Sequence, residues 1–571
     1  MFVRVKSTPK SPRKSVQIVE SYRIDGKVRQ RIVQHVGVAK DEASLKRLKD
    51  LAASIKEELE SQGRLPLYPI ENASSDSKAS QSSSSSPKHE SDSENEANYT
   101  VNLLNIVEES RQIKGIHDIY GSLYDELGFD RVIANPARNA KARTILKEIV
   151  LARIANPSSK RGSVEDLSTH FGVTVDLKAV YRMMDKIDDQ AIERINTIAW
   201  EKCRSLYREK IDVLYFDATT LYFESFEEDE LRRNGFSKDR KFNQPQVVLA
   251  LLVSKEGLPV GYRLFKGDTF DGHTLEPTLE ELKAHYDLDK VVYVADSGMF
   301  NRKNRQTLEA MEEKGVRYIV GAKIRNLPHS VQEEILDRSR YRRINDDLEV
   351  ATFTYEGKRL IVSRSAKRAR KDCRDREEGI ERIRKKLHRS GSLKSHLSHQ
   401  GYRKYLKIVS SYEEKCSQDP SLLLDEEKIA ADARWDGLKG ILSNETELSE
   451  EELIAQYANL WQIEESFRIT KHDLRIRPIY HFKPERVKAH VAITFIAYTL
   501  VRHLAYRVGL RYKPLSVQRI RQVLLDVQVS RLYDTKRKIR FTLPSSLSLD
   551  AQKIYKIMGL TPQKRVQRVD E

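Results

Sequence analysis

The sequence predicts a mixed α/β protein in which a β-hairpin region and a helical domain precede a core sheet. Three observations predict this class. Residues 16–32 alternate apolar and polar side chains around Asp25-Gly26, a pair typical of hairpin turns. Residues 103–205 carry apolar side chains at helical spacing. From residue 211 onward, short apolar runs typical of buried strands alternate with helical stretches.

The N-terminal region, residues 1–71, is predicted to hold the hairpin and then a helix over residues 41–63. Residues 72–98 are acidic and rich in serine, with five consecutive serines from Ser82 to Ser86. Such a segment buries too little apolar surface to offset the entropy of ordering its chain. We therefore predict a disordered linker over residues 72–98.

The helical domain, residues 99–207, contains two predicted helices separated by a glycine. Ser163 begins a capping pattern, Gly172 follows as a turn, and residues 177–187 form the second helix. This arrangement resembles a helix-turn-helix that reads DNA. It is also typical of ordinary packing in a helical domain, so both interpretations stay open.

The core, residues 208–510, opens with three strand-like runs, after which helices and strands alternate. The predicted elements in chain order are strands 211–216, 247–253 and 261–265, helix 275–285, strand 291–295, helix 301–314 and strand 318–321. This order predicts an α/β sheet of the ribonuclease-H type.

A long insertion at about residues 327–450 separates this sheet from the last helix of the site. It contains the strand-like pieces 348–353 and 360–362 and the basic run 364–386. The longest apolar run, residues 491–501, follows the insertion and is too short to cross a bilayer. We predict that it is a buried core helix.

The positive charge of the chain is concentrated at its two ends. The net charge is +17, of which residues 1–40 contribute +8 and the C-terminal region, residues 511–571, contributes +9. Basic ends around a neutral body favour nucleic acid as a partner over a generic basic surface. Candidate contacts to its backbone are Lys238, Arg240 and Lys241 in a polar loop and Lys536, Arg537 and Lys538 near the C-terminus. Sequence-specific binding is expected from residues 1–71 and 99–207.

The three cysteines are too few and too scattered for a disulfide framework or a cysteine-rich zinc site. A reducing cytosol fits this usage. The N-terminus lacks the apolar core of a signal peptide. We therefore expect a cytoplasmic protein with no membrane partner.

One helix-like run, residues 457–471, carries a chemically distinctive face. Tyr457, Glu464 and Lys471 are spaced by seven residues, which returns each to within about 20° of the previous direction. Arg468 lies beside this line, whereas Glu465 lies off it and is interpreted as a surface residue. A carboxylate flanked by hydrogen-bond donors suits a metal-binding acid next to phosphate-binding groups.

Two aspartates upstream could complete a metal site with Glu464. Asp217 and Asp296 each follow an apolar strand-like run. A carboxylate next to a buried strand is costly unless a cation meets it, although strand-end aspartates also cap turns. Carboxylate ligands without cysteine or clustered histidine favour Mg²⁺, with Mn²⁺ as a substitute.

These residues resemble the motifs of DDE transposases of bacterial insertion sequences, in the group with a Tyr, Arg, Glu, Lys signature. The signature spaces these residues by two, three and six positions, and Tyr457, Glu464 and Lys471 match it. Leu460 stands where the arginine is expected, and Arg468 could compensate. The blocks around Asp217 and Asp296 resemble the first two acid motifs of the family. The resemblance covers residues 210–505 and, more loosely, the N-terminal hairpin region.

The resemblance implies a ribonuclease-H-like catalytic core in which Asp217, Asp296 and Glu464 bind two Mg²⁺ ions. It implies cleavage of a DNA strand by water, followed by attack of the freed 3′ hydroxyl on target DNA. Tyr457 and Lys471, helped by Arg468, would grip phosphates. The implied partners are double-stranded DNA, as terminal inverted repeats and target, and a second copy in a homodimeric synapse. The implied location is the bacterial cytoplasm, at the nucleoid.

Two other functions remain alternatives. Leu460 and the basic ends also fit a sequence-specific DNA-binding regulator with a degenerate core. A structure-specific nuclease on the same fold, such as a junction resolvase, would share the metal site. It would cut without particular end sequences and would not join strands.

Overall fold

The structure, a computed structural model, describes most of the chain in two compact units, residues 1–98 and 99–571. The described residues are 2–7, 14–24, 27–39, 45, 49, 52, 101–206, 213–224, 227–235, 244–269, 273–275, 277–278, 280, 292–296, 312, 316–387, 403–409 and 421–569. No helix among these residues is long and apolar enough to span a membrane.

The first unit contains a three-stranded antiparallel sheet. Its strands, in sheet order, are β1 (Phe2–Ser7), β2 (Lys14–Ile24) and β3 (Lys27–Ala39). The pairing of Ile24 with Lys27 confirms the predicted hairpin, whose turn residues themselves lie outside the described part. Val16 and Ala39 pack with Leu45 and Ala52, two helical residues from the predicted helix 41–63. The predicted linker lies outside the described residues.

The second unit begins with a strand, although the sequence predicts helices throughout residues 103–205. Strand β4 (Ile106–Ile113) precedes five helices, which are α1 (Ser122–Leu127), α2 (Pro136–Ala155), α3 (Lys160–Phe171), α4 (Leu177–Met184) and α5 (Asp189–Leu206). The prediction misses β4 because its pairing partner comes from the other end of the chain.

The predicted helix pair in this domain is confirmed, with a different start. Helix α3 begins three residues before Ser163, because the side chain of Ser159 caps it by accepting from the Gly162 amide at 3.1 Å. Gly172 ends α3 with a positive φ of 68°, a conformation that glycine adopts without a steric penalty. Asp176 then caps α4 by accepting from the Ala179 amide.

The core sheet has nine strands in the order β10-β11-β12-β15-β9-β8-β5-β6-β7. The members before the insertion are β5 (Val213–Tyr222), β6 (Gln246–Ser254), β7 (Pro259–Lys266), β8 (Val292–Ala295) and β9 (Arg317–Ala322). Strands β5, β8 and β9 are parallel, whereas β6 and β7 are antiparallel to their neighbours. The predicted mixed α/β class is confirmed.

The insertion extends this same sheet. Its members of the sheet are β10 (Arg342–Arg343), β11 (Leu348–Tyr355), β12 (Lys358–Ser365) and β15 (Leu438–Ser443). Its remaining elements are α6 (His329–Leu336), α7 (Ala366–Leu387), β13 (Leu406–Val409), β14 (Ser421–Leu424) and α8 (Glu426–Ala433). Strand β15, near the end of the insertion, pairs with β9, the strand that precedes the insertion. The two ends of the insertion therefore lie side by side in the sheet.

The C-terminal part completes the unit. Its elements are α9 (Glu450–Ala458), α10 (Trp461–Arg468), α11 (Pro484–Arg511), α12 (Val517–Leu525), β16 (Gln528–Asp534), β17 (Ile539–Pro544), α13 (Leu549–Met558) and β18 (Gln567–Val569). Strands β16 to β18 pair with β4 in a four-stranded sheet. The predicted core helix is confirmed, since residues 491–501 lie buried inside α11.

A buried histidine in α11 makes the stability of this unit dependent on pH. His503 is fully buried, and neither of its ring nitrogens has a hydrogen-bonding partner among the described residues. Burial, aided by the positive charges of Arg507, Lys202 and Arg502, lowers the pKa of His503 to about 3. The unfolded chain, with an ordinary histidine pKa, therefore binds a proton that the folded chain excludes between about pH 6.5 and 3.

Stability is expected to fall as the pH falls through this window. Between pH 6 and pH 5, His503 should reduce the free energy of unfolding by about 1 kcal/mol. The variant His503→Leu should lack this part of the slope, measured by urea unfolding followed through the tryptophans, which all lie in this unit. His472→Leu, at an exposed position, is the control. Equal slopes in the wild type and His503→Leu would contradict the prediction.

Candidate active site

Asp217 on β5 and Asp296, directly after the neighbouring parallel strand β8, lie side by side. Asp217 stands in the middle of β5, which corrects the prediction that it follows a strand; β5 continues to Tyr222 because β6 pairs with it to the end. Strand β8 stops one residue before Asp296. Phe216 pairs with Ala295, so the register brings the next residues, the two aspartates, to neighbouring positions roughly 5 Å apart between Cα atoms.

Asp217 faces the segment that carries Glu464. Residues at i and i+2 of a strand share a face, so Tyr215, Asp217 and Thr219 point to one side of the sheet. The hydroxyl of Tyr215 donates to the side chain of Gln456 on α9 at 3.1 Å. Lys471 donates to the hydroxyl of Thr219 at 2.6 Å. Asp217 therefore lies between two side chains, Tyr215 and Thr219, that are both hydrogen-bonded to the segment from α9 to Lys471.

The helix-like run is not one continuous helix, contrary to the prediction. Helix α9 ends at Ala458, α10 covers Trp461–Arg468, and a π-helical turn, Ile469–Asp473, holds Lys471. At the junction the amide of Leu460 bonds to the carbonyl of Tyr457, a tighter 3₁₀-type contact. The φ and ψ angles of Leu460 stay near helical values, so α10 continues in nearly the same direction as α9.

Tyr457 links the second aspartate to this segment. Its hydroxyl donates to Oδ1 of Asp296 at 3.4 Å. Burial, together with the negative charges of Asp296 and Glu464, raises the pKa of Tyr457 well above its usual value. Tyr457 therefore remains neutral and can donate its hydroxyl proton. The charges of Glu464 and Asp296 both act on this hydroxyl.

Lys439 is a functional candidate that the sequence reasoning missed. It lies on β15, with its ammonium 4.4 Å from the centre of the Tyr457 ring. Burial and the charge of Arg368 lower the pKa of Lys439, whereas the negative charges of Asp296 and Glu464 act to raise it. The charges of two of the three acids thus act on this ammonium. Nothing local marks Lys439 in the sequence, because only the pairing of β15 with β9 brings it here.

Glu465 and Arg468 form an ion pair with each other. Arg468 donates to both carboxylate oxygens of Glu465, at 2.7 and 2.6 Å, and to Asp473 at 3.4 Å. Glu464 is exposed, whereas Glu465 is half-buried by this pairing. Leu460 packs against the hydrophobic core and offers no phosphate contact. The role of Arg468 as a substitute for the signature arginine stays a prediction.

The donor set fits a hard divalent cation in its chemistry. Asp217, Asp296 and Glu464 supply carboxylate oxygens, the ligands that Mg²⁺ and Mn²⁺ prefer. The aspartates are neighbours, and Glu464 acts electrostatically on the residues around Asp296. Within the described part of the chain, however, no three histidine, cysteine or acidic side chains lie close enough together to hold a metal ion. The structure thus pairs the aspartates and leaves Glu464 outside a common ligand cluster.

A basic cleft of about 810 Å³ begins at Lys439. Its lining residues are Ser363, Ser365, Lys367, Arg368, Arg370, Lys371, Asp372, Arg374, Gly437 and Lys439. The basic side chains of its α7 side are exposed. Lys367, Arg370, Lys371 and Arg374 form no ion pair with any acid that the structure describes. The cleft thus offers unneutralised positive charge beside the acids.

Helix α7 is fixed near the start of β15 by Asp372 and by Arg376, which is half-buried. Arg376 forms a two-pronged ion pair with Asp436, at 2.5 and 2.7 Å. Asp372 accepts from the amide of Gly437 at 3.0 Å. Gly437 has a φ of 79°, and a Cβ there would lie 2.6 Å from the carbonyl oxygen of Ser365. These contacts hold the first turns of α7 at the edge of the cleft.

The cleft could have been found in part from the sequence. Positions 367, 370, 371 and 374 are spaced by three and four residues, which places them on one face of a helix. The sequence shows the basic run but not the surface that it faces, because β12 and β15 come together only in the fold.

The other predicted basic contacts lie elsewhere. Lys238, Arg240 and Lys241 lie outside the described residues. Lys536, Arg537 and Lys538 form the turn between β16 and β17, where Asp534 accepts from two backbone amides. These turn residues have no contact with the acids among the described residues. Their predicted contact with nucleic acid remains untested.

Paired acids on adjacent parallel strands, next to an unneutralised basic cleft, are the arrangement of proteins that act on phosphate-containing polyanions. The chain belongs to a particular family of this class. The family model of the transposase DDE domain matches residues 208–500, about half of the chain. A second model, the N-terminal domain of IS1634 family transposases, matches residues 2–64. The predicted family, insertion-sequence DDE transposases, is confirmed.

Solved structures add distant similarities. One is the piggyBac transposase in a synaptic complex with hairpin DNA, with 10% identity over 72% of this chain and 77% of that chain and a TM-score of 0.37. Another is the Mos1 transposase in a paired-end complex, with 16% identity over 35% of this chain and 61% of that chain and a TM-score of 0.14. No match was found among curated proteins.

Proposed function

We propose that this transposase cuts and joins the DNA ends of an insertion sequence by phosphoryl transfer at Asp217, Asp296 and Glu464. One observation carries the proposal. Asp217 on β5 and Asp296, directly after the parallel strand β8, are neighbours on the part of the sheet that faces α10. The strand order β7-β6-β5-β8-β9, with three antiparallel strands followed by two parallel ones, supports a ribonuclease-H-like core. In chain order, Asp217 is on the first of these strands, β5, and Asp296 directly follows the fourth, β8.

Asp217, Asp296 and Glu464 would hold two Mg²⁺ ions, or Mn²⁺ in their place. When bound, such a pair activates the attacking oxygen and stabilises the leaving oxygen of an in-line displacement. Glu464 would complete the ligand set. Lys439 would partly balance the charge of Asp296 and Glu464, since both charges act on its ammonium.

Tyr457 and Lys471 position the reacting groups. Tyr457 holds one oxygen of Asp296 through its hydroxyl and so fixes the direction of the other oxygen. Lys471 lies against Thr219, two residues from Asp217 on the same strand face, where its ammonium is in reach of a phosphate next to Asp217. The Lys471 ammonium would bind a phosphate oxygen, whereas Tyr457, with one proton to donate, would bind phosphate only by releasing Asp296.

The basic cleft would receive the DNA backbone. Its unpaired lysines and arginines neutralise phosphates without reading sequence, whereas recognition of the inverted repeats belongs to the N-terminal region and the helical domain. A homodimer holding two ends would bring the cleavage sites together.

The proposal is tested with the purified chain and a plasmid that carries the insertion sequence with its two ends. With Mg²⁺ or Mn²⁺ we expect strand breaks at the ends and joined products in a target plasmid; with EDTA we expect neither. Breaks in plasmids without the ends, and no joining, would indicate the structure-specific nuclease instead. Binding of the ends without any break in either metal would indicate the DNA-binding regulator.

A further inference from the structure

A group of four basic side chains lies buried away from the acids. This buried cation cluster consists of Arg153 at the end of α2, Lys160 at the start of α3, and His481 and His490 around the start of α11. All four are at least nine-tenths buried. The rings of His481 and His490 lie 5.5 Å apart between centroids. The cluster thus joins the helical domain to the segment that follows Lys471.

The members of the cluster act on one another and on no acid that the structure describes. Burial, with the positive charges of Lys160, Arg486 and Arg153, lowers the pKa of His481 to about 4. Burial, with the charge of Arg153, lowers the pKa of Lys160 well below its usual value. Neither Arg153 nor Lys160 has an ion pair among the described residues. At neutral pH the lowered pKa leaves His481 uncharged, while Arg153 keeps its charge without a compensating acid among the described residues.

Several buried donors of the cluster point to no acceptor. Nε and Nη2 of Arg153 and Nζ of Lys160 have no hydrogen-bonding partner in the described part of the chain. A buried polar group without a partner is costly, and arginine cannot escape the cost by losing its proton. An acceptor that brings negative charge would remove the cost for all of these donors together.

The orientation of Arg153 indicates the shape of that acceptor. Its Nη1 donates to the carbonyls of Leu474 and Arg475, at 3.4 and 3.1 Å, and so fixes the guanidinium plane. The edge formed by Nε and Nη2 is left open, and this edge binds two oxygens of one anion. His490 is fixed in a similar way, because its Nε2 lies 3.0 Å from the carbonyl oxygen of Ile476 and only its Nδ1 is left over.

We propose that the buried cation cluster is a binding site for a tetrahedral oxyanion of the phosphate class. Arg153 holds two of its oxygens through its open edge, and Lys160 donates to another. Bound there, the anion ties α2 and α3 to the segment between Lys471 and α11. The inference does not depend on the proposed DNA cleavage, since the anion is bound and not changed.

The test uses the full chain, dialysed into chloride, with inorganic phosphate as the probe. At constant ionic strength, phosphate is expected to raise the Tm of the wild type by roughly 2–4 °C, because a ligand of the folded state stabilises it. In Lys160→Met, which keeps the length of the side chain without its charge, this rise should disappear. The matched control is Lys178→Met, an exposed lysine on α4, in which the rise should persist.

A second arm identifies the source of the anion. If the occupant is a phosphate of DNA, Lys160→Met should weaken binding of a short duplex about tenfold and reduce its salt slope by about 1. If the occupant is a free ion, Lys160→Met should bind the duplex as the wild type does while losing the phosphate-dependent rise in Tm.

A measurement without variants guards against misfolding of Lys160→Met. The ³¹P resonance of inorganic phosphate should broaden when the wild-type chain is added, and excess sulfate should reverse the broadening. The inference is overturned if the wild type neither broadens this resonance nor gains Tm from phosphate while Lys160→Met binds DNA normally. It is equally overturned if phosphate raises the Tm of Lys160→Met as much as that of the wild type.

Discussion

Replacing Asp217 by asparagine is expected to reduce strand cleavage at the insertion-sequence ends by at least about 1,000-fold. Asparagine keeps the shape of the side chain and its carbonyl oxygen, which can still accept from the Ala218 amide as Oδ1 of Asp217 does at 2.8 Å. It removes the negative charge that a divalent cation requires at this position. Loss of several kcal/mol of transition-state stabilisation corresponds to a rate change of this size.

The same variant should still bind DNA. The exposed basic cleft and the chain ends are untouched, and the loss of one negative charge favours the approach of a polyanion. We therefore expect duplex affinity within about threefold of the wild type, measured by fluorescence anisotropy in Ca²⁺ so that no cleavage interferes. The separation of cutting from binding is the result that identifies Asp217 as part of the metal site.

The control for Asp217→Asn is Asp346→Asn. Asp346 is fully exposed and contributes to a surface ion pair with Arg343 at 2.7 Å, which is worth little to stability. This variant should cleave as the wild type does. If Asp217→Asn retains cleavage within tenfold of the wild type in Mg²⁺, Asp217 does not hold the metal and the proposed site is wrong.

The sequence singles out the three candidate acids because their signals are local. Asp217 and Asp296 stand in or directly after apolar runs that can only be strands, and Glu464 has a fixed spacing to Tyr457 and Lys471. The predicted ends of strands and helices were wrong where they depend on contacts with other elements. Strand β5 runs past Asp217 because β6 pairs with it, and the helix-like run breaks between α9 and α10.

The parts that could not be predicted are those made by residues far apart in the chain. Strand β4 is a strand only because β16 pairs with it, more than 400 positions later. The insertion joins the core sheet because β15 pairs with β9, which also places Lys439 beside the acids. The buried cation cluster combines Arg153 with His490 in the same manner. No local pattern carries this information.

Neutralising the basic face of α7 is expected to weaken DNA binding strongly. The triple variant Arg370→Gln, Lys371→Gln, Arg374→Gln removes three exposed cations that have no acidic partner among the described residues. If each neutralises one phosphate, the slope of log affinity against log salt should fall by about 2.7. At 0.1 M salt this corresponds to a loss of at least about 100-fold, measured by anisotropy titrations of a duplex between 0.05 and roughly 0.3 M NaCl.

The control for this triple variant lies on the same helix and removes the same net charge. Arg382, Arg384 and Lys385 are near the C-terminal end of α7, and each is within 4.0 Å of an acid, namely Glu378, Glu426 and Glu381. Because these cations are already paired, replacing all three by glutamine should leave the salt slope nearly unchanged. Equal losses in the two variants would mean that net charge alone governs binding. In that case the cleft beside Lys439 is not where the DNA backbone lies.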